Sequence, residues 1–508
     1  MYQKSLLIFT RLFSLVFILA AVGLTVAGPG LIALGAAQAP GEAVLPSGTI
    51  IAGIPVGGLD ESAARARIEA AYATPVELIY QQYRILADPH DLGFTLHTDA
   101  MLEQARQPEP RSWYTRFWRS LWHTPPAAGL HIPLISTIDA QQIRSYLEHE
   151  IVPRYDLPAR RPYAISNTAY RPGQPGWALD VAASIPLIEA RLSSLSDRSA
   201  SLPVIQQPAP PISLEQVKAV LLYNIDQFGF DGLVTFAMTD LQSGAEMLFG
   251  LQNGVEVDPE IAFTAASTIK VPIKLSVMKR TAEPTPEEVY NLLIEMSARS
   301  ENPPADQLMQ RYINEIRGPL VVTEDLRALG LENTFLAGYF YLGAPLLDRF
   351  TTPANSRTDI NLRPDIYNQS TAADMLALMT WIYDCAVHDR GRIRQTFADQ
   401  VTQTECQLIL DVMAQNKTGL LFEAGIPDVT RVAHKHGWVE EVDGQLRNMS
   451  DIGVVYTPGG NYAFSLFIYH PERLDFDATN ILVAQFSLAI YNAFNLDDQF
   501  PWMPFPRP

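Results

Sequence analysis

Ser267 and Lys270 stand three residues apart in "FTAASTIKVPIKL", a stretch with little other charge. Positions i and i+3 share a helix face, so a hydroxyl and an amine would be aimed at one point. A serine hydroxyl is a poor nucleophile until a neighbour takes its proton. Lys270 can take it only as the free base, and a second lysine close by would lower its pKa by repulsion. Lys435, in Lys435-His436-Gly437 at the head of a predicted strand, can supply that charge. Ser300, in Ser300-Glu301-Asn302 after a helical stretch, can bridge the two lysines and pass a proton to a leaving nitrogen. Asn302 can orient an amide of the substrate. Ser267 at a helix N-terminus offers its own backbone N–H to a developing oxyanion. Each motif alone also has an ordinary reading: Ser267 an N-cap, Lys270 a solvated side chain, Ser300 a loop serine, Lys435 a strand-edge charge. Ser-x-x-Lys recurs by chance in a long chain, so the weight lies on the three motifs in this order.

The surrounding elements must position these groups. "SLEQVKAVLLYNI" has helical periodicity. "LVTFAMTDL" and "GAEMLFG" read as hairpin strands; "HKHGWV", "DIGVVYTP" and "YAFSLFIYH" read as three more, and "DFDATNILVAQFSLAIYNAF" as a closing helix. Strands at both ends with helices between them predict one antiparallel sheet flanked by helices, with an inserted helical subdomain. This domain is expected over 214–508, behind a Pro-rich linker at 203–213. Residues 48–202 predict a separate α+β domain. It opens with a short strand, a glycine turn and a helix capped near Asp60, and "RPGQPGWALDVAASIPLIEARL" repeats that order. "VELIYQQYRILAD" between them reads as strands.

Residues 12–37 are apolar and long enough to cross a bilayer, after a short cytoplasmic N-terminus, 1–11, that carries Lys4 and Arg11. A cleaved signal peptide is the alternative, given Ala37-Gln38-Ala39. Either way the body is exported, which predicts a membrane-attached, extracytoplasmic protein. The net charge of −18 argues against a nucleic-acid partner, because phosphate binding needs clustered Lys and Arg. No Cys/His set has zinc spacing, so neither a metal nor another cofactor is expected. Cys385 and Cys406 are the two cysteines; one bridge and two buried thiols are both open readings.

The three motifs resemble those of the penicillin-recognising serine hydrolases, and among them the class A β-lactamases. The flanks "TAASTIKVPI", "NQSTAADMLALM" and "VAHKHGWV" followed by "DIGVVYTP" carry the same resemblance, over about Leu214 to Phe494. It implies a β-lactamase/D,D-peptidase-like fold, with Ser267, Lys270, Ser300 and Lys435 catalytic. It further implies that Trp438 gives the second oxyanion N–H, that Lys435 and His436 face a substrate carboxylate, and that Gly437 is also substrate-binding. Residues 48–202 resemble the peptidoglycan-binding type of domain in envelope proteins related to the vancomycin-resistance W type, through Gly53 to Asp60, "DLGFTLHTDAMLEQA", "SWYTRFW" and "GWALDVAASIPLIEARL". A spacer is the alternative for that block.

Several positions depart from the class A pattern. Glu301 stands for the usual Asp, and His436 for a Ser or Thr hydroxyl, which predicts a pH-dependent contact. The short interval from Ser267 to Ser300 implies a trimmed helical subdomain. Class A enzymes use a loop glutamate to activate the deacylating water; here no Glu lies between Glu332 and Glu405. Asp359, Asn361 and Asp365 are the loop's substitutes. The expectation is therefore a serine hydrolase that forms an acyl-enzyme with a β-lactam or a peptidoglycan peptide amide, with slow deacylation. A non-catalytic wall-binding scaffold and an esterase on another envelope acyl group are the alternatives.

Overall fold

The computed structural model describes residues 44–106 and 129–502. The expected anchor at 12–37 and the stretch "SWYTRFW" at 112–118 lie outside these residues. Among the described residues no helix is long and apolar enough to cross a membrane. The chain forms two compact units: one takes residues up to Pro158 and Gly176–Gln207, the other Ala159–Pro175 and Pro208 onward.

The first unit repeats short strands and capped helices. Ile50–Ile51 pairs antiparallel with Ile54–Pro55 and parallel with His131–Ile132. Asp60 caps the helix Glu61–Tyr72, its carboxylate accepting from the Ala63 N–H at 2.7 Å. Val76–Tyr80 and Tyr83–Ala87 form the expected hairpin. Asp180 caps the helix Val181–Leu192 in the same way as Asp60. Ile51, Ile68, Leu78, Ile143, Ile188 and Leu192 are buried together as its core. The stretch read as a linker is extended, yet Val204–Gln207 pairs antiparallel with Gly176–Leu179. Its Val and Ile supply N–H groups that a Pro-rich reading overlooks.

The second unit is a six-stranded sheet in the order Val255–Val257, Glu246–Gln252, Leu233–Asp240, Tyr462–Tyr469, Leu446–Tyr456, Arg431–Glu440. Every neighbouring pair is antiparallel. The strands come from both ends of the unit, as the sequence predicts. Both faces are covered, so Leu233–Thr239 is buried throughout and largely apolar. Its side chains alternate: Val234, Phe236 and Met238 join one buried cluster, Leu233 and Ala237 the other. The first cluster also holds residues of the helices Leu214–Phe228 and Phe476–Phe494. Ser213 and Gln216 close the start of the former as a capping box. The opposite face carries the helical subdomain, including Lys270–Met278, Gly318–Leu329, Ala372–His388 and Gln403–Met413.

Cys385 and Cys406 form a disulfide that ties two of these helices together, which resolves the open pairing. Cys385→Ser with Cys406→Ser should lower unfolding stability by about 3 kcal/mol in urea titrations, through the freed unfolded chain. An unchanged midpoint would mean that the bridge is not formed in the folded protein.

Candidate active site

A small sheet delivers the chain to Ser267. Phe263–Thr264 pairs with Asn368–Ser370, which pairs on its other side with Phe335–Leu336. Ala265 then donates its N–H to Asn368 O at 3.3 Å. Ala266 follows in the left-handed region, φ 49°. A non-glycine residue there stores backbone strain, which persists where surrounding structure imposes it. Ser267 lies inside the 3-10 turn Ala266–Ile269, which runs directly into the helix Lys270–Met278. It is therefore not an N-cap. Its hydroxyl instead receives a hydrogen bond from Lys270 Nζ at 3.2 Å.

Lys270 joins two of the motifs. Its amine also donates to Ser300 O at 2.6 Å and Asn302 Oδ1 at 2.8 Å. Ser300 is a second left-handed residue, φ 58°. It meets Lys270 through its backbone carbonyl, where the sequence predicts a bridging hydroxyl. Asn302 opens the helix Asn302–Leu308 and spends its carbonyl oxygen on Lys270. Its amide nitrogen is left for another partner.

The third motif lies on Arg431–Glu440, the edge strand of the sheet. The strand passes against the Ser267 turn so closely that a Cβ on Gly437 would stand 2.9 Å from Ser267 N and 3.1 Å from Thr268 N. Only glycine leaves the Ser267 N–H approachable there. Ser450 Oγ donates to Gly437 O at 3.2 Å across the sheet. Lys435 is fully buried and donates to His436 O at 2.8 Å. His436 stacks on Trp438, ring centroids 4.6 Å apart, and Trp438 meets Phe476 edge-on at 5.2 Å.

Burial dominates the electrostatics. It pushes Lys270 down to about 8, while the nearby Asp306 and Glu301 carboxylates act in the opposite sense. Lys435 is lowered well below the usual lysine range, by burial first and then by repulsion from Lys270 and Lys274. Burial is thus the first cause at Lys270, and the repulsion between the two lysines is felt at Lys435. His436 is pushed down to about 2, by burial and then Lys435. It stays neutral throughout ordinary pH, so the pH-dependent contact expected of it does not come from its own charge.

Four residues escaped the sequence reading. Lys274, one turn beyond Lys270, is fully buried and held near 7, with its amine 3.5 Å from Lys270 O. Its i+4 spacing from Lys270 was the available signal. Phe340 lies over Lys270, ring centroid 5.6 Å from Nζ, and its N–H donates to Asp306 Oδ1 at 2.9 Å. Nothing in the sequence marks it. His434 is buried beside Lys435, and Asn416 lies against its ring. The substitutes for the loop glutamate are engaged elsewhere. Asp359 is exposed, bonded to Arg357 at 2.6 Å and held down to about 2 by that guanidinium. Asn361 accepts from Arg363 N, and Asp365 from Tyr367 N and Asn368 Nδ2, each at 2.8–2.9 Å. Among the described residues no group of three or more His, Cys, Asp or Glu is arranged to hold a metal ion.

Residues 284–494 match the model of the beta-lactamase enzyme family, a match that starts downstream of Ser267 and Lys270. A serine hydrolase of the β-lactamase-like family is the enzyme class this match supports. No curated protein sequence matches the chain. Among solved structures, PBP-A is similar at 20% identity over 56% of this chain and 99% of that one, TM-score 0.40. A mutant of PBP-A, described as an acyl-enzyme complex with penicillin G, is similar at 19% identity over 56% and 99%, TM-score 0.40. A β-lactamase from Chitinophaga pinensis is similar at 16% identity over 55% and 98%, TM-score 0.41.

Proposed function

We propose that this chain is an envelope-anchored serine acyl-hydrolase whose substrate is a β-lactam or a peptidoglycan peptide amide. One observation carries the reading: a buried amine, Lys270 Nζ, contacts Ser267 Oγ, Ser300 O and Asn302 Oδ1 at once. As the free base it takes the Ser267 proton while Oγ attacks the carbonyl carbon. The N–H groups of Ser267 and Trp438 receive the oxyanion. When the tetrahedral adduct collapses, the C–N bond breaks and the proton on Lys270 passes to the leaving nitrogen, while Ser300 O holds the amine in place. Asn302 Nδ2 orients the substrate's amide, and Lys435 with His436 faces its carboxylate.

Release of the acyl group needs an activated water. Phe340 occupies the space over Lys270, and Asp359, Asn361 and Asp365 have other partners. The acyl-enzyme is therefore long-lived, as in a penicillin-binding D,D-peptidase rather than an efficient β-lactamase. An esterase is the second reading. It is favoured by His436, which stays neutral, and by the burial of Lys435, which works against its charge and so weakens its hold on a carboxylate. For residues 48–202 we propose wall binding, and for 12–37 a membrane anchor that keeps the body outside the cytoplasm. The Cys385–Cys406 disulfide suits an oxidising compartment.

The test is the pH profile of acylation by benzylpenicillin. Lys270 works unprotonated, so its active fraction grows as pH rises through about 8. The second-order rate should climb roughly tenfold per pH unit below that point and flatten above it. A profile flat between pH 6 and 9 would remove Lys270 as the base.

A further inference from the structure

Behind the edge strand a buried chain of polar groups runs from the core to the substrate side. Asp451 and His434 are fully buried, and the two carboxylate oxygens lie 3.0 and 3.1 Å from His434 Nδ1. Asp451 also accepts from Phe422 N at 3.2 Å. Asn416, fully buried, sets its Nδ2 3.3 Å from His434 Nε2 and 3.0 Å from His436 Nδ1. Its Oδ1 is buried with no hydrogen-bond partner among the described residues.

An amide nitrogen has two N–H donors and accepts nothing. If it serves both rings, both facing nitrogens are bare. His434 then carries its proton on Nδ1, toward Asp451, and His436 carries its proton on Nε2. We propose that Asn416 is a positioning residue that fixes the His436 tautomer, so that His436 offers a neutral Nε2–H donor to a substrate carbonyl or carboxylate.

The same chain links His436 to the charge on His434. Burial of the ring works first against the imidazolium; Asp451 and Glu423 (3.9 Å away, and paired with Lys417) favour it, and Lys435 opposes it. Lys270 and Lys274 are the other cations beside this strand. The balance raises His434 above its ordinary value. An imidazolium needs an acceptor at Nε2; Asn416 stands nearer to it than Glu423 does, and in this proposal it turns its Oδ1 inward. His436 Nδ1, now facing an oxygen, must hold the proton. Nε2 becomes a bare acceptor, and the donor to substrate is lost at acid pH.

The direct test is 15N NMR of the histidine-labelled full chain, whose nine histidines are assigned with His434→Gln and His436→Gln. Ring 15N shifts distinguish the two tautomers. The wild type should show the Nε2–H tautomer of His436 at pH 8.5, and the Nδ1–H tautomer once His434 is doubly protonated. In Asn416→Leu, or Asn416→Ser if the former does not fold, His436 should lose this dependence on His434. An unchanged His436 tautomer as His434 titrates, or the same behaviour in the variant, would overturn the proposal. A kinetic arm rests on the acyl-transfer reading: Asn416→Leu should raise the benzylpenicillin concentration for half-maximal acylation about tenfold, the worth of one hydrogen bond to a charged group, with the maximal rate kept. If wild type is not acylated at all, the acyl-transfer reading fails while the tautomer result stands or falls alone.

Discussion

Lys270→Met should slow acylation of Ser267 by about 10^2- to 10^4-fold, the worth of a positioned general base. The amine touches the nucleophile and the second motif together, so its loss removes proton transfer in both directions. Folding should not suffer. Methionine fills the buried space without the desolvation cost of an amine, so the urea midpoint should hold or rise. Stopped-flow or gel-based acylation rates, measured beside the urea titration, check both parts. A Met variant that acylates within tenfold of wild type would assign the base elsewhere.

Phe340→Glu should act on the other half of the cycle. It puts a carboxylate where the ring now lies, 5.6 Å from Lys270 Nζ at the centroid. A glutamate there can activate a water against the acyl carbonyl. General-base catalysis of that kind is worth about 10^2- to 10^4-fold, so the adduct lifetime should shorten by at least about 10^2. Acylation itself should change far less. Phe340 is partly exposed and is held through its backbone N–H by Asp306, so the exchange leaves the loop's anchor in place. An unchanged adduct lifetime with normal acylation would show that something other than a missing base limits release.

The sheet and most of its helices were legible because their signals are local. Leu233–Asp240 and Tyr462–Tyr469 are largely apolar runs of strand length, and Ser213, Asp60 and Asp180 mark helix starts with a cap residue. The three motifs were legible as spacings. What they do to one another was not. That Ser300 meets Lys270 by its carbonyl depends on a left-handed backbone, which Ser does not advertise. That both lysines are held below the usual lysine range depends on their burial, and for Lys435 also on Lys270 and Lys274. Phe340 and Asn416 are ordinary residues in sequence and gain meaning only from chain segments brought beside them. The strand at Val204–Gln207 was missed because Pro and Gln neighbours masked its pairing.

The central claim is that Ser267 forms a covalent acyl-enzyme. Intact-mass spectrometry of the full chain, sampled over time after addition of benzylpenicillin and run beside Ser267→Ala, tests it most directly. The account predicts one added penicilloyl mass on wild type, persisting long after free drug is removed, and none on Ser267→Ala. No adduct on wild type, with the antibiotic left intact, would contradict it, as would an adduct that forms equally without Ser267.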